Sequence, residues 1–156
     1  MTPPDAPDSL EEVFRTIPHR PPFLFVDEIV SVTETGAVTR RVVRPDEPFF
    51  EGHYPGNPIM PGVLLCEAVF QTGAVFLVRR FGGAAAAPGT RETPVLTRIK
   101  DARFKTIVRP GDELTIRAEL TETLGRFHFL RGVVEVAGKK ALAIDFGLAL
   151  VAEKAG

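Results

Sequence analysis

The sequence contains little cysteine, almost no excess charge and no uninterrupted apolar run long enough to cross a bilayer. Its only cysteine, Cys66, cannot form a disulfide within the chain, and no zinc-ligand spacing surrounds it. A formal net charge of -1 over 156 residues argues against a nucleic-acid-binding protein that works by bulk electrostatics. The most apolar segment, Pro61–Val78, is interrupted by Glu67 and Gln71 and is too short to span a membrane.

The amino-terminal segment lacks the pattern of a secretory signal. Its sequence, "MTPPDAPDSLEE", is acidic and rich in proline, with no basic region followed by an apolar run. We therefore predict a cytoplasmic protein. Residues 1–8 show no periodicity and are predicted to be a disordered tail, whereas residues 9–153 are predicted to form a single domain of ordinary size.

The first half of the chain predicts one helix, one hairpin and one long loop. The segment "SLEEVFRTI" predicts a short helix, with Ser9 as its N-cap and Glu12 closing a capping box. Residues 23–43 alternate between apolar and polar well enough to predict a hairpin that turns around Thr35–Gly36. A loop dense in proline and glycine, Pro45–Pro61, then leads into the apolar helix.

The second half of the chain predicts strands only. After the flexible connector "GGAAAAPGT", turns are expected at "RPGDE", "LGR" and "AGKK". The strands between these turns are predicted at Val95–Val108, Glu113–Thr123, Phe127–Val136 and Ala141–Ala152. One long apolar helix among about six antiparallel strands predicts an α+β fold in which the sheet wraps around the helix. A helix enclosed in this way has no solvent-facing side, which explains its apolar composition.

The apolar helix nevertheless carries a carboxylate at its centre. An ionised carboxylate is expensive to bury unless it is paired or neutralised. Gln71 lies four residues after Glu67, shares its helix face and can hydrogen-bond to it. Two interpretations stay open from the helix alone. Glu67 is either a half-exposed carboxylate at a subunit interface, satisfied by Gln71 and a water, or a functional acid with a perturbed pKa.

The loop before the helix favours the functional interpretation. In "HYPGNPIMPG", glycines and prolines fix His53 fourteen positions before Glu67. Pro61 suits the first helical position, because its missing N–H costs nothing there. Gly62 leaves the start of the helix open, with backbone N–H groups that could receive a carbonyl oxygen. A base, an acid and an oxyanion donor are what proton abstraction next to a carbonyl requires.

Three segments of the chain resemble the β-hydroxyacyl-acyl-carrier-protein dehydratases of the FabZ type, a family with the hotdog fold. They are "PHRPPFLFVDEI", "EPFFEGHYPGNPIMPGVLLCEAVFQ" and "DARFKTIVRPGDEL", and the resemblance runs in order over Leu10–Val151. It implies a single hotdog dehydratase domain at residues 9–153 that eliminates water from a (3R)-hydroxyacyl thioester. Matched residue by residue, it implies that His53 and Glu67 are the catalytic pair and that the Gly62 N–H binds the thioester carbonyl.

The resemblance also assigns chemical roles. His53 would accept the C2 proton of the substrate, while Glu67, kept protonated by burial, would give a proton to the leaving hydroxyl. Gln71 would orient Glu67, and Pro61 and Val63 would contact the substrate beside the donor glycine. The resemblance implies no metal and no organic cofactor.

Acyl carrier protein is the partner that the resemblance implies. Because that protein is acidic, a basic rim is expected around the substrate tunnel. Arg103 and Lys105 are the best docking candidates, since a strand would point both to one face, opposite Phe104. The resemblance further implies a homodimer with its sheets joined edge to edge and with His53 and Glu67 of one site in different subunits. It leaves open a trimer of dimers, and neither nucleic acid nor membrane is expected as a partner.

Two other functions stay open, besides a MaoC-like hydratase acting on CoA, whose motif places aspartate and histidine differently. A hotdog acyl-thioester hydrolase would use a carboxylate to activate water, and a non-catalytic acyl-binding scaffold would need only the fold. The intact histidine, glycine and glutamate set argues against both. Four further polar residues receive structural interpretations. His19 and Arg20 are expected to fix the first loop, His128 to face outward from its strand, and Asp145 to lie on the outer sheet face or at a subunit contact.

Overall fold

A computed structural model describes residues 6–82 and 89–154 of the protein. These residues form α-helices and one antiparallel sheet. Within these ranges the helices are α1, Ala6–Thr16, and α2, Gly62–Phe81, and a 3-10 turn spans Pro48–Glu51. The strands are β1 Glu28–Val32, β2 Gly36–Val42, β3 Thr90–Phe104, β4 Glu113–Leu124, β5 Phe127–Val136 and β6 Lys139–Lys154. The predicted α+β class is confirmed.

The six strands form one sheet in the order β1-β2-β4-β5-β6-β3, and every neighbouring pair is antiparallel. The chain leaves β2 through the long loop, passes through α2 and returns at the opposite edge of the sheet as β3. This edge strand pairs with β6 along its whole length. The route places α2 and the loop before it next to the edge strand.

Two bulges bend the edge strand β3. Its register against β6 shifts between Leu96 and Arg98 and again between Lys100 and Arg103. Asp101, in the second bulge, has a φ of 53°, in the left-handed region that non-glycine residues seldom adopt. A bulge inserts an extra residue into one strand of a pair, which bends that strand and increases its twist.

The sheet encloses α2, as the sequence predicts. The helix packs against β2, β3, β4, β5 and β6, and every residue from Ala68 to Leu77 is buried. α2 ends at Phe81, three residues after the predicted apolar segment, so by length and composition it could cross a membrane, contrary to the prediction. However, 67% of its apolar stretch is buried inside the protein. A stretch buried by the protein's own sheet is typical of a core helix.

Glycines let the helix and the sheet approach closely. A Cβ atom on Gly73 of α2 would lie 2.8 Å from the Phe146 ring of β6. A Cβ atom on Gly132 of β5 would overlap the side chain of Val69. Both positions therefore require a residue without a side chain, and they fix the depth at which α2 lies in the sheet.

The first helix begins earlier than predicted. α1 starts at Ala6, so Ser9 lies inside the helix and is not its N-cap. Pro7 falls in the first turn, where a backbone N–H has no helical acceptor, so it does not interrupt the helix. Residues 1–5 of the predicted tail, and 83–88 of the predicted connector, lie outside the described residues.

The predicted hairpin is confirmed as β1 and β2, but its first part is not a strand. Residues 23–27 run as irregular chain over α2. The side chain of Gln71 explains this course, because it bonds the backbone groups that a neighbouring strand would otherwise use. The Phe25 N–H donates to Gln71 Oε1 at 2.8 Å, and Gln71 Nε2 donates to the Phe23 carbonyl at 3.1 Å.

His128 faces the core, so its predicted outward orientation is wrong. Its side chain is only 6% exposed, stacks on the Phe81 ring at 4.6 Å and lies 3.1 Å from the Thr123 hydroxyl through Nδ1. Burial lowers the pKa of His128. Alternation along a strand predicts that His128 and the phenylalanines beside it face opposite ways, but it does not say which set faces inward.

Candidate active site

His53 lies in the loop between the 3-10 turn and α2, and hydrogen bonds hold both its backbone and its ring. Its backbone N–H donates to the Phe49 carbonyl at 3.0 Å. Its Nδ1 lies 2.6 Å from the Ile59 carbonyl. Because a carbonyl only accepts hydrogen bonds, Nδ1 carries the proton and Nε2 keeps its lone pair. This is the tautomer that a general base needs.

The loop that carries His53 is stiffened by its neighbours. Tyr54 has a φ of 63°, a conformation that costs a non-glycine residue free energy and is found more often at functional sites. Arg109 donates to the Asn57 side-chain oxygen at 2.8 Å. The Met60 N–H donates to the Val108 carbonyl at 2.8 Å. The loop is therefore tied to the segment that follows β3.

The His53 ring and the start of α2 line one cavity of about 420 Å³. Its walls are His53, Tyr54, Ile59, Met60, Gly62, Leu65, Phe104, Lys105, Thr106, Ile107 and Val108. A cavity of this size, mostly apolar with a few polar groups, is typical of a small-molecule site. The structure thus brings together two of the predicted site residues, His53 and Gly62.

Gly62 is the first residue of α2, and Pro61 precedes it as the N-cap with ψ 132°. The prediction that Pro61 occupies the first helical position is wrong by one residue, because its extended ψ lies outside the helix. The first N–H groups of a helix have no intrahelical acceptor, and those of Gly62 and Val63 are the first of α2. A Cβ atom on Gly62 would lie 2.8 Å from the Phe104 ring. The absence of a side chain at Gly62 therefore lets this ring cover the helix start.

Glu67 is partly buried on α2, and the predicted hydrogen bond to it is present. Gln71 Nε2 donates to Glu67 Oε1 at 3.1 Å. Gln71 is fully buried and has no freedom to turn, because its amide also bonds the backbone of Phe23 and Phe25. Burial raises the pKa of Glu67, and the hydrogen bond from Gln71 opposes part of that rise. The carboxyl therefore holds its proton to a higher pH than an exposed glutamate does.

The structure adds His19 as a neighbour of Glu67 that the sequence did not reveal. His19 Nε2 lies 3.7 Å from Glu67 Oε1. Burial, and secondarily the Arg20 charge, lower the pKa of His19, so the ring is neutral beside the carboxyl. Arg20 fixes the first loop, as predicted for it together with His19, because its guanidinium donates to the carbonyls of Phe14, Ile17 and His19. The only signal for His19 was its place in "PHR".

Glu67 does not line the cavity that contains His53 and Gly62. Within one chain the predicted base therefore lies in the wall of this cavity, whereas the predicted acid does not. Cys66, beside Glu67, is buried, and burial raises the pKa of its thiol. A thiol of this kind is a core residue rather than a nucleophile.

A family model of the FabA-like domain matches residues 17–145 of the chain. The chain belongs to the FabA-like family. The 3-hydroxyacyl-acyl-carrier-protein dehydratase FabZ of Clostridium perfringens is 37% identical over 144 residues, which cover 91% of this chain and 98% of the relative. The FabZ of Chloroflexus aggregans is 49% identical over 115 residues, or 72% of this chain and 74% of the relative. Within its family the chain is thus of the FabZ type.

A solved structure shows the same fold for this FabA-like chain. The dehydratase heterocomplex ApeI:P from Xenorhabdus doucetiae superposes with a TM-score of 0.73 at 18% identity, covering 89% of this chain and 90% of that one. The hotdog fold that the sequence resemblance implies is therefore confirmed. At this identity, the likeness bears on the fold alone.

The basic residues predicted for docking are separated in the FabA-like chain. Lys105 lines the His53 cavity, whereas Arg103 lines a shallow depression on the outer sheet face, beside Arg131 and Asp145. β3 ends at Phe104, so the alternation expected for Arg103 and Lys105 does not extend to Lys105. Asp145 lies on the outer face as predicted, where it pairs with Arg131 at 3.1 Å.

Proposed function

We propose that this FabZ-type protein is a 3-hydroxyacyl-acyl-carrier-protein dehydratase. It eliminates water from a (3R)-hydroxyacyl thioester and gives the trans-2-enoyl thioester, in fatty acid or related lipid biosynthesis. The observation that carries the proposal is the cavity in which the His53 ring meets the open start of α2. The relatives named FabZ, one of which covers 91% of the chain, support the same reaction.

His53 is the proposed base. Its Nδ1–H is held by the Ile59 carbonyl, so Nε2 faces the substrate with a lone pair. It takes the proton from C2, and the same carbonyl then stabilises the imidazolium that forms. As the C2–H bond breaks, its electron pair is shared with the thioester carbonyl, and it forms the second bond between C2 and C3 when the C3–O bond breaks.

The start of α2 is the proposed site for the thioester carbonyl. Negative charge develops on that oxygen as the C2 proton leaves, and the Gly62 N–H lies at the positive end of the helix dipole. Pro61 and Val63 flank this donor and are proposed to contact the substrate. Phe104 covers the glycine and would shield the developing charge from water.

Glu67 is the proposed acid. Burial raises its pKa, so it keeps its proton to a higher pH than an exposed glutamate and gives that proton to the C3 hydroxyl. The C3–O bond then breaks, water leaves, and the C2=C3 double bond is complete. Gln71 orients the carboxyl through the 3.1 Å hydrogen bond. A proton returns from His53 to Glu67 through solvent, which resets the site.

We propose a homodimer that joins two copies along β3. Among the described residues, β3 has a strand partner on one side only, and its 15 residues expose Val95, Leu96, Ile99 and Phe104. A long exposed apolar edge is unusual in a monomer. Since Glu67 does not line the cavity that holds His53 of the same chain, each site would take one of them from each copy. A trimer of dimers is the larger assembly we propose to test.

Acyl carrier protein is the proposed partner, and its acidic surface would meet the basic residues near the cavity. Lys105, in the cavity wall, is better placed for this contact than Arg103, on the outer face. We propose a cytoplasmic location, since a single unpaired cysteine suits a reducing compartment.

The reaction is tested with purified protein and (3R)-hydroxyacyl thioesters of acyl carrier protein at graded chain lengths. The expected product is the conjugated enoyl thioester, followed by its ultraviolet absorbance, with no release of free thiol. Release of thiol in place of the enoyl product would identify a thioester hydrolase. Binding of the acyl thioesters without turnover at any chain length would identify a scaffold. Either result would reject the dehydratase assignment.

A further inference from the structure

Arg41 on β2 is a buried cation that the proposed reaction does not use. Its side chain is only 3% exposed, and a buried charge needs several partners to be tolerated. The guanidinium lies over the Phe25 ring, 5.2 Å from its centroid. It pairs with the buried carboxylate of Glu47 and donates to Asp27 Oδ1 at 3.3 Å. These contacts fix the guanidinium in one orientation.

One further contact of Arg41 reaches the backbone. Nη1 donates to the Leu24 carbonyl at 2.8 Å. That carbonyl and the Phe25 N–H belong to the same peptide group, and the Phe25 N–H donates to Gln71 Oε1 at 2.8 Å. A single peptide plane is therefore held at one end by a cation and at the other by the amide of Gln71. A charge-assisted hydrogen bond to the oxygen polarises the peptide and strengthens the bond that its N–H donates.

The chain of contacts continues to the predicted acid. With its oxygen fixed by the Phe25 N–H, the Gln71 amide has only its nitrogen left to direct at Glu67, at 3.1 Å. Turning the Gln71 amide by 180° would exchange Oε1 and Nε2 and place the donor Nε2 against the Phe25 N–H, which is also a donor. The amide therefore has a single orientation. The direction of the hydrogen bond to Glu67 thus depends on two backbone groups: the Phe23 carbonyl, which accepts from Nε2 at 3.1 Å, and the peptide that Arg41 holds.

We propose that Arg41 is a positioning residue that holds Glu67 in its reactive orientation, acting through the Leu24–Phe25 peptide and Gln71. The inference rests on the proposed function, because it assigns Arg41 a part in the dehydration site. An arginine suits this place because its planar fork donates to Leu24, Asp27 and Glu47 at once. A lysine keeps the charge but lacks the fixed fork geometry.

The test compares Arg41→Lys with Arg44→Lys. Arg44 bonds the same Asp27 carboxylate but is 55% exposed and does not contact the Leu24–Phe25 peptide, so it is a matched control. For Arg41→Lys we expect kcat to fall about tenfold, as for a small displacement of a reacting group, with KM within about twofold. Arg44→Lys should change neither constant.

A second measurement, the pKa of Glu67, distinguishes a positioning role of Arg41 from a purely structural one. The hydrogen bond from Gln71 lowers the pKa of Glu67, so loosening it should raise that pKa and move the alkaline limb of kcat to higher pH. His19, the other group at Glu67, is unchanged in both variants. Carbon-13 NMR of the Glu67 carboxyl measures the same pKa without any turnover. Arg44→Lys should leave it at the wild-type value.

If Arg41→Lys does not fold, Arg41→Met combined with Glu47→Met removes both buried charges at little cost in stability. It also removes the donor to Leu24, so the same rise in the Glu67 pKa is expected. A folded variant of either kind with the wild-type kcat and Glu67 pKa would overturn the proposal. So would a loss of stability without a change in that pKa. A raised Glu67 pKa in a protein that dehydrates no substrate would keep Arg41 in its positioning role and reject the proposed function instead.

Discussion

Replacing Gly62 with alanine tests the packing at the start of α2. The new Cβ would lie 2.8 Å from Cε1 of Phe104, and 3.2 Å from two further ring atoms. To reach ordinary contact the ring edge must move by roughly 0.6 Å, and the cavity lies beside it. Phe104 is 53% exposed and can move without unfolding the sheet. The backbone N–H of the helix start is kept, so only its surroundings change.

For Gly62→Ala we expect kcat/KM to fall about tenfold or more, since displacements of this size in a site cost that much. Stability should change little, because alanine favours a helix over glycine by up to about 1 kcal/mol and offsets part of the strain. The assay is the dehydration rate, with thermal unfolding as the measure of stability.

Phe104→Ala provides the matched background for this experiment. Without the ring, Gly62→Ala should cause no further loss beyond about twofold, so the two substitutions should be strongly coupled. A single Gly62→Ala variant with full activity would refute the packing argument. So would an undiminished loss in the Phe104→Ala background, because the ring could not then be the cause.

Four further predictions concern the pair, the assembly, the partner and stability. His53→Ala and Glu67→Gln should each fold and lose about 10²–10⁴-fold in turnover, the range of general acid–base groups; a Glu67→Gln enzyme at near-native rate would remove that residue from the mechanism. Mixing these two inactive variants should restore part of the activity if each site spans two chains, and verified mixed dimers without recovery would place the pair in one chain. Lys105→Glu should raise the KM for the carrier-protein substrate but not for a small N-acetylcysteamine thioester, and Arg103→Glu should have the smaller effect; equal losses on both substrates would contradict docking. Because burial lowers the pKa of His128, unfolded chains gain a proton there as the pH falls below 6.5, so thermal stability should drop from pH 7 to pH 5. The drop should be smaller in His128→Gln, and an identical drop would mean that His128 does not contribute to it.

The sequence predicted the elements and contacts that depend on residues close together in the chain. Periodicity and turn residues located α2 and the strands from β4 to β6 to within a few residues. This was possible because a helix buried by the sheet is apolar throughout and the turns between the strands contain glycine. The hydrogen bond between Gln71 and Glu67 was predictable for the same reason, since a spacing of four places both side chains on one helix face.

Contacts between distant segments could not be predicted in this way. His19 is 48 positions before Glu67, and no spacing rule relates them. Residues 23–27 alternate like a strand, but their backbone groups bond the buried side chains of Gln71 and Arg41. Arg41 looked like one more strand residue, because its partners come from the segments before β1 and after β2. In each case the decisive partner is supplied by the tertiary structure.

The two bulges in β3 restrict what can pair with the exposed edge. An edge that bends twice presents its free N–H and C=O groups in more than one direction, so a flat strand can align with only part of it. A stable partner must bend at matching places, and a second copy of β3 meets this requirement when the two strands pair antiparallel about a point between the two bulges. The irregularity therefore protects the folded protein against aggregation at high concentration while leaving self-recognition possible.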